Sequence, residues 1–173
     1  MMMAVRHESK FDLILSNGRL IIDVDATTGN LMTSFQRQLP GGHYRITAAE
    51  NEDFTKAVGG EIDGNGRAHP LFYYIATQAA MGISVSDLCA LCEFDVIDGP
   101  MMAQSHVTFD QDLMVDCDYQ VSGRVISLTR KTSRTFGELD LLTYELTLSR
   151  PEGERVAHCV NQWILPRRAR VAA

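Results

Sequence analysis

Hydrophobic positions along the chain change period twice. Residues 11–36 read as extended. In FDLILSNGRLIIDVD two apolar runs flank Asn17-Gly18, a dipeptide that tolerates the positive φ angles of a tight hairpin. TTGNLMTSF continues as another turn and strand, and GGHYRIT reads as a loop. In AAENEDFTKAVGG the spacing becomes helical. Thr47 is an N-cap candidate with Glu50 three residues on, a capping-box pattern. Phe54 and Val58 can share one face at i, i+4, and Gly59-Gly60 closes a short helix.

From Ala68 to Ser86 there is no Asp, Glu, Lys or Arg. Pro70 suits a first helical turn. A helix apolar on all sides belongs inside the protein. Gly82 breaks it or lets another backbone approach, and a second helical piece runs from Ser84 or Ser86 to Cys92. After residue 100 the period becomes two. SHVTFDQDL is a short strand. Val115, Cys117, Tyr119 and Val121 alternate until Gly123, which reads as a bulge. LDLLTYELTLSR and ERVAHCVNQWILPR are strands joined by a turn at RPEGE. The predicted class is α+β: a long central buried helix wrapped by a curved antiparallel sheet, which would explain the missing charges.

Composition narrows the function. The 173 residues fit a single domain over 1–173, and 45% hydrophobic residues suffice for a core. A net charge of -6 argues against nucleic acid, though an arginine cluster could still hold an anion. Cys89 and Cys92 form C-x-x-C, but no second pair completes a metal site. Glu93 and Asp95 follow it, where a redox pair wants positive surroundings. The cysteines read as buried and reduced, which places the protein in the cytoplasm. MMMAVRHESKFD lacks the apolar stretch of a signal peptide. The apolar run contains His69, Pro70, Thr77 and Gln78 and lacks basic flanks, so no membrane span is expected.

The arrangement resembles the hotdog fold. GPMMAQSHVTFDQDLMVDCDYQVSGRVISLTRKTSRTFGELDLLTYELTLSRPEGERVAHCVNQWILPR resembles the MaoC-like dehydratases, especially the branch called FAS1-like dehydratase domains. DQDLMVDCDY, RKTSRTFGELD and PEGERVA match their turn positions, and AHPLFYY resembles the turn that begins the central helix. The resemblance covers roughly residues 45–168, leaving 1–44 as extra strands or a hairpin. It implies a hydratase or dehydratase of 2-enoyl or 3-hydroxyacyl thioesters of coenzyme A or acyl carrier protein. No metal or redox cofactor is implied. A homodimer, or a heterodimer with another hotdog subunit, is expected. Active members carry G-D-x-N-P-x-H; here GGEIDGNGRAH keeps Asp63 and Asn65, has Gly66 for the proline, and places His69 one residue late.

Hydration needs a base for water, a proton for the α carbon, and dipoles for the thioester oxygen. Asp63 and His69 are the candidate acid–base pair, with Glu61 in reserve. The alternatives are a turn role for Asp63, a helix-start role for His69 and a solvated Glu61. Backbone amides of Leu71 and Phe72 are candidate oxyanion donors, and Asn65 and Tyr73 are candidate substrate contacts. Arg124, Arg130, Lys131 and Arg134 would suit coenzyme A phosphates; the alternative is a strand end facing Glu138 and Asp140. His106 and His158 receive no role. A thioesterase, or a non-catalytic subunit holding the acyl chain beside a catalytic partner, remains open.

Overall fold

The strands flanking Asn17-Gly18 pair. In the computed structural model, which describes residues 15–16, 19–20, 35–134 and 137–167, β1 (Leu15–Ser16) pairs antiparallel with β2 (Arg19–Leu20), Ser16 opposite Arg19. The strand read in TTGNLMTSF lies outside the described residues apart from Phe35, which belongs to no regular element. The chain clusters into two units, Met1–Leu31 and Met32–Ala173.

The second unit is built on a five-stranded antiparallel sheet of order β3-β5-β6-β7-β4. Its strands are β3 (Arg37–Ile46), β4 (Met101–Phe109), β5 (Cys117–Ser133), β6 (Gly137–Ser149) and β7 (Arg155–Pro166). Three helices, α1 (Ala48–Ala57), α2 (Phe72–Ala79) and α3 (Val85–Leu91), lie in sequence between β3 and β4. β3 corrects the reading of GGHYRIT as a loop. Pro40-Gly41-Gly42 hides the strand because those residues form a bulge: the register with β5 slips between Leu39 and Gly42. Gly123 is not a bulge. It pairs in register with Leu146, and the slip in β5 falls between Val125 and Ser127. Glycine is needed at 123 because a Cβ there would sit 2.5 Å from the Glu145 carbonyl oxygen.

The alternation of β6 buries Leu142, Tyr144, Leu146 and Leu148, the period-two pattern of a sheet with one core face. β7 adds Cys159, Asn161, Trp163 and Leu165 to that face. α2 packs on β3 and β6. The expected long helix is two short ones, because the backbone turns at Gly82 (φ +84°). Nor is α2 covered on all sides: Phe72, Ala76 and Thr77 are buried, Tyr73, Tyr74, Ile75 and Gln78 are half-buried, and Ala79 is exposed. Among the described residues no helix is long and apolar enough to cross a membrane.

Both readings of Gly82 hold at once. The helix breaks there, and β3 comes close: Gly41 N donates to Met81 O at 3.0 Å. A Cβ on Gly82 would lie 2.5 Å from Gly41 O and 2.7 Å from Gly41 N. Gly82→Ala must therefore move backbone and hold alanine at positive φ. The expected cost is about 1–3 kcal/mol, measured by urea denaturation; a variant as stable as the parent would show that the close approach is not rigid.

Candidate active site

α1 orients the site from one side. Thr47 caps it, accepting from Glu50 N at 3.2 Å. Glu50 does not complete a capping box; its carboxylate accepts from the Tyr44 hydroxyl. At the other end Gly59 N donates to Lys56 O and Gly60 N to Thr55 O, the paired bonds of a Schellman close. The buried face is polar, made by Asn51 and Thr55, not by Phe54 and Val58. Val58 is exposed, and Phe54 packs edge-on against His69 and Phe72.

The other side is the loop after Gly60. It is pinned to the segment following β4: Ala68 N donates to Leu113 O at 2.8 Å, and Val115 N to Gly66 O at 2.9 Å. An isolated bridge joins Arg67 to Met114. Between loop, segment and α1 lies a cleft of about 380 Å³ whose lining includes Asn51, Thr55, Glu61, Asp63, Arg67, His69, Phe109 and Asp112.

His69 is oriented by its backbone and its ring. Its N–H donates to Asn51 Oδ1 at 2.7 Å. Its Nδ1 accepts from Leu71 N at 3.2 Å, which assigns the neutral ring's proton to Nε2. Asp63 is more restrained. Its Oδ1 accepts from Asn65 N at 2.7 Å, a side-chain turn, and its Oδ2 lies 3.6 Å from Arg67 Nε. Arg67 also reaches Asp112 Oδ2 at 3.0 Å, so one guanidinium holds two carboxylates on the cleft wall. Glu61 is exposed.

No family model and no curated protein sequence matches the chain. Solved structures do. The HadBC (3R-hydroxyacyl-ACP dehydratase) complex of Mycobacterium tuberculosis matches with TM-score 0.56 at 14% identity, over 78% of this chain and 99% of that one. The ChsH1-ChsH2 complex of the same organism gives 0.57 at 13%, over 78% and 84%. A MaoC-like dehydratase from Rhodospirillum rubrum gives 0.53 at 14%, over 77% and 92%. The chain has the hotdog fold. At these identities the likeness is one of fold.

Several expected contacts of the hotdog site are already engaged. Leu71 N is bonded to the His69 ring, and Phe72 N donates to His69 O at 3.0 Å. Neither residue lines the cleft. The reason is the tight turn through Pro70, which turns these amides back on the chain. Asn65 is exposed in its turn. Tyr73 is half-buried, its hydroxyl 3.0 Å from Ser105 Oγ and its ring edge-on to Phe109, a cleft residue.

Two of the four basic residues are paired across the sheet. Arg124 Nε bonds Glu145 Oε1 at 2.6 Å, and Arg130 Nε bonds Asp140 Oδ1 at 2.9 Å. Lys131 and Arg134 are exposed, and neither lines the cleft. The cysteines of C-x-x-C are buried. Burial pushes the Cys92 thiol up to about 12, which disfavours the thiolate.

Asn51, Thr55, Arg67 and Asp112 were not read as site residues. Asn51 and Thr55 sit at i, i+4, so a polar stripe on an otherwise ordinary helix was the available signal.

Proposed function

We propose that this hotdog chain is a hydratase or dehydratase of 2-enoyl or 3-hydroxyacyl thioesters. The supporting observation is that His69, Asp63 and Glu61, read from one short loop, line one cleft. In hydration, water accepts a hydrogen bond from His69 Nε2–H and gives its proton to a loop carboxylate, Asp63 or Glu61. The oxygen bonds to Cβ, and the carboxyl returns the proton to Cα, so one water is added across the double bond. Dehydration reverses these steps. Neither a metal nor a redox cofactor is required.

A pairing of hotdog chains, like or unlike, belongs to the same proposal. β4 is a sheet edge that leaves Met102 and Phe109 exposed, surface that a second subunit would cover. One observation favours a second reading, a non-catalytic subunit holding an acyl chain beside a catalytic partner. The amides of Leu71 and Phe72 are not free to bind an oxyanion.

The purified chain incubated with a short 2-enoyl-CoA is expected to bleach the conjugated thioester absorbance. Release of free thiol instead would make it a thioesterase. Binding of acyl-CoA without either reaction would support the non-catalytic reading.

A further inference from the structure

Thr55 is buried, with 2% of its surface exposed, and it lines the cleft. Its Oγ1 has no hydrogen-bond partner among the described residues. That is unusual for a threonine in a helix, whose hydroxyl can return to the carbonyl three or four residues back. Thr77 in α2 does this, donating to Tyr73 O at 2.7 Å. A buried hydroxyl left without a partner is costly unless something supplies one.

His69 stands beside it. A Cβ placed on Gly60 would lie 3.1 Å from Thr55 Cγ2 and 3.9 Å from His69 Cδ2. Both side chains therefore flank one glycine, Thr55 through its methyl group, which shares its Cβ with the hydroxyl, and His69 through the ring carbon bonded to Nε2. Ionised Glu61, Asp63 and Asp112 can only accept hydrogen bonds, and Arg67 is bonded to two of them. An incoming carbonyl oxygen thus needs a donor that the carboxylates cannot supply and that the amides of Leu71 and Phe72 do not offer.

We propose that the Thr55 hydroxyl donates to the thioester carbonyl oxygen of a bound acyl group, taking the place of the helix-start amides. This rests on the reading that the cleft binds an acyl thioester. No proton is transferred: the hydroxyl strengthens its hydrogen bond as negative charge gathers on that oxygen. Asn51 is a positioning residue that holds the His69 backbone.

The test compares two ligands by calorimetry: hexanoyl-CoA, and hexyl-CoA, the thioether that lacks the carbonyl. The parent protein should bind the thioester about fivefold to tenfold more tightly. Thr55→Val should abolish that preference by weakening thioester binding alone, and Thr55→Ser should restore it. Valine is isosteric and removes an unpaired hydroxyl, so the melting temperature should not fall. Hydration of 2-hexenoyl-CoA by Thr55→Val should lose about 10²–10³-fold in kcat. A preference that survives in Thr55→Val, equal binding of both ligands by the parent, or binding of neither would overturn the proposal. If the preference vanishes as expected but the parent hydrates nothing, the carbonyl contact stands and the hydratase reading falls.

Discussion

His69→Ala is expected to slow enoyl-thioester hydration by about 10²–10³-fold, the usual cost of removing one positioned hydrogen-bond donor. The geometry makes the variant informative. Leu71 N occupies Nδ1, so the ring acts through Nε2 and in its neutral form. His69→Gln keeps a side-chain donor and should retain more activity than alanine. The carboxylates can be separated by charge alone. Asp63→Asn preserves the oxygen that accepts from Asn65 N and removes only the charge beside Arg67. If Asp63 is the base, this variant loses about 10²–10⁴-fold in rate. If Asp63 serves only to hold the turn and Arg67, it keeps most of its rate and Glu61→Gln carries the loss. Steady-state rates of the three variants decide between these outcomes. Full activity in all three would remove the loop from the chemistry.

What the sequence revealed was mostly local. Asn17-Gly18, the Thr47 cap, the Gly59-Gly60 close and the turn before Arg155 are decided by a few adjacent residues, and each was legible. β3 was not, because a bulge at Pro40-Gly41-Gly42 looks like a loop until a partner strand is present to pair with it. The break at Gly82 was legible too, but which backbone approaches it was not: Gly41 lies far away in sequence. The site divides in the same way. Asp63 and His69 reach one cleft because a single loop carries them. Thr55, Arg67 and Asp112 acquire meaning only when α1 and the segment after β4 close on that loop. In the cluster Arg124 to Arg134, the cross-strand partners Glu145 and Asp140 claim two of the arginines, which only the folded sheet reveals.

Asp140 forms the most heavily charged point in the core, and its loss should be the largest stability effect. Only 2% of the residue is exposed. Arg167, at the end of β7, binds Asp140 Oδ2 through Nε at 2.7 Å and through Nη2 at 2.5 Å. The same guanidinium donates to Glu93 O at 2.5 Å and Cys92 O at 2.6 Å and lies over the Phe94 ring. It therefore ties the last strand to the end of α3. Arg130 binds the carboxylate from a more exposed position. Burial alone would push the Asp140 carboxyl upward, but the hydrogen bonds of Arg130 and Arg167 outweigh it and hold it below its ordinary value. A depressed folded value means that this stabilisation is present above the ordinary aspartate range and is lost as pH falls through the folded value. Arg167→Ala leaves a buried charge with one exposed partner and two carbonyls without their donor. The expected loss at pH 7 is about 3–5 kcal/mol, and Arg167→Lys should recover little of it because an ammonium lacks the fork. With burial now dominant the carboxyl moves upward in Arg167→Ala, and protonation relieves the unpaired charge. The gap between parent and variant must then narrow as pH falls from neutral toward the aspartate range, since the parent loses its ion pair while the variant sheds its burden. Urea denaturation of both proteins across that interval measures it; a gap that widens in acid would show that Arg167 acts through packing on Phe94 and not through Asp140.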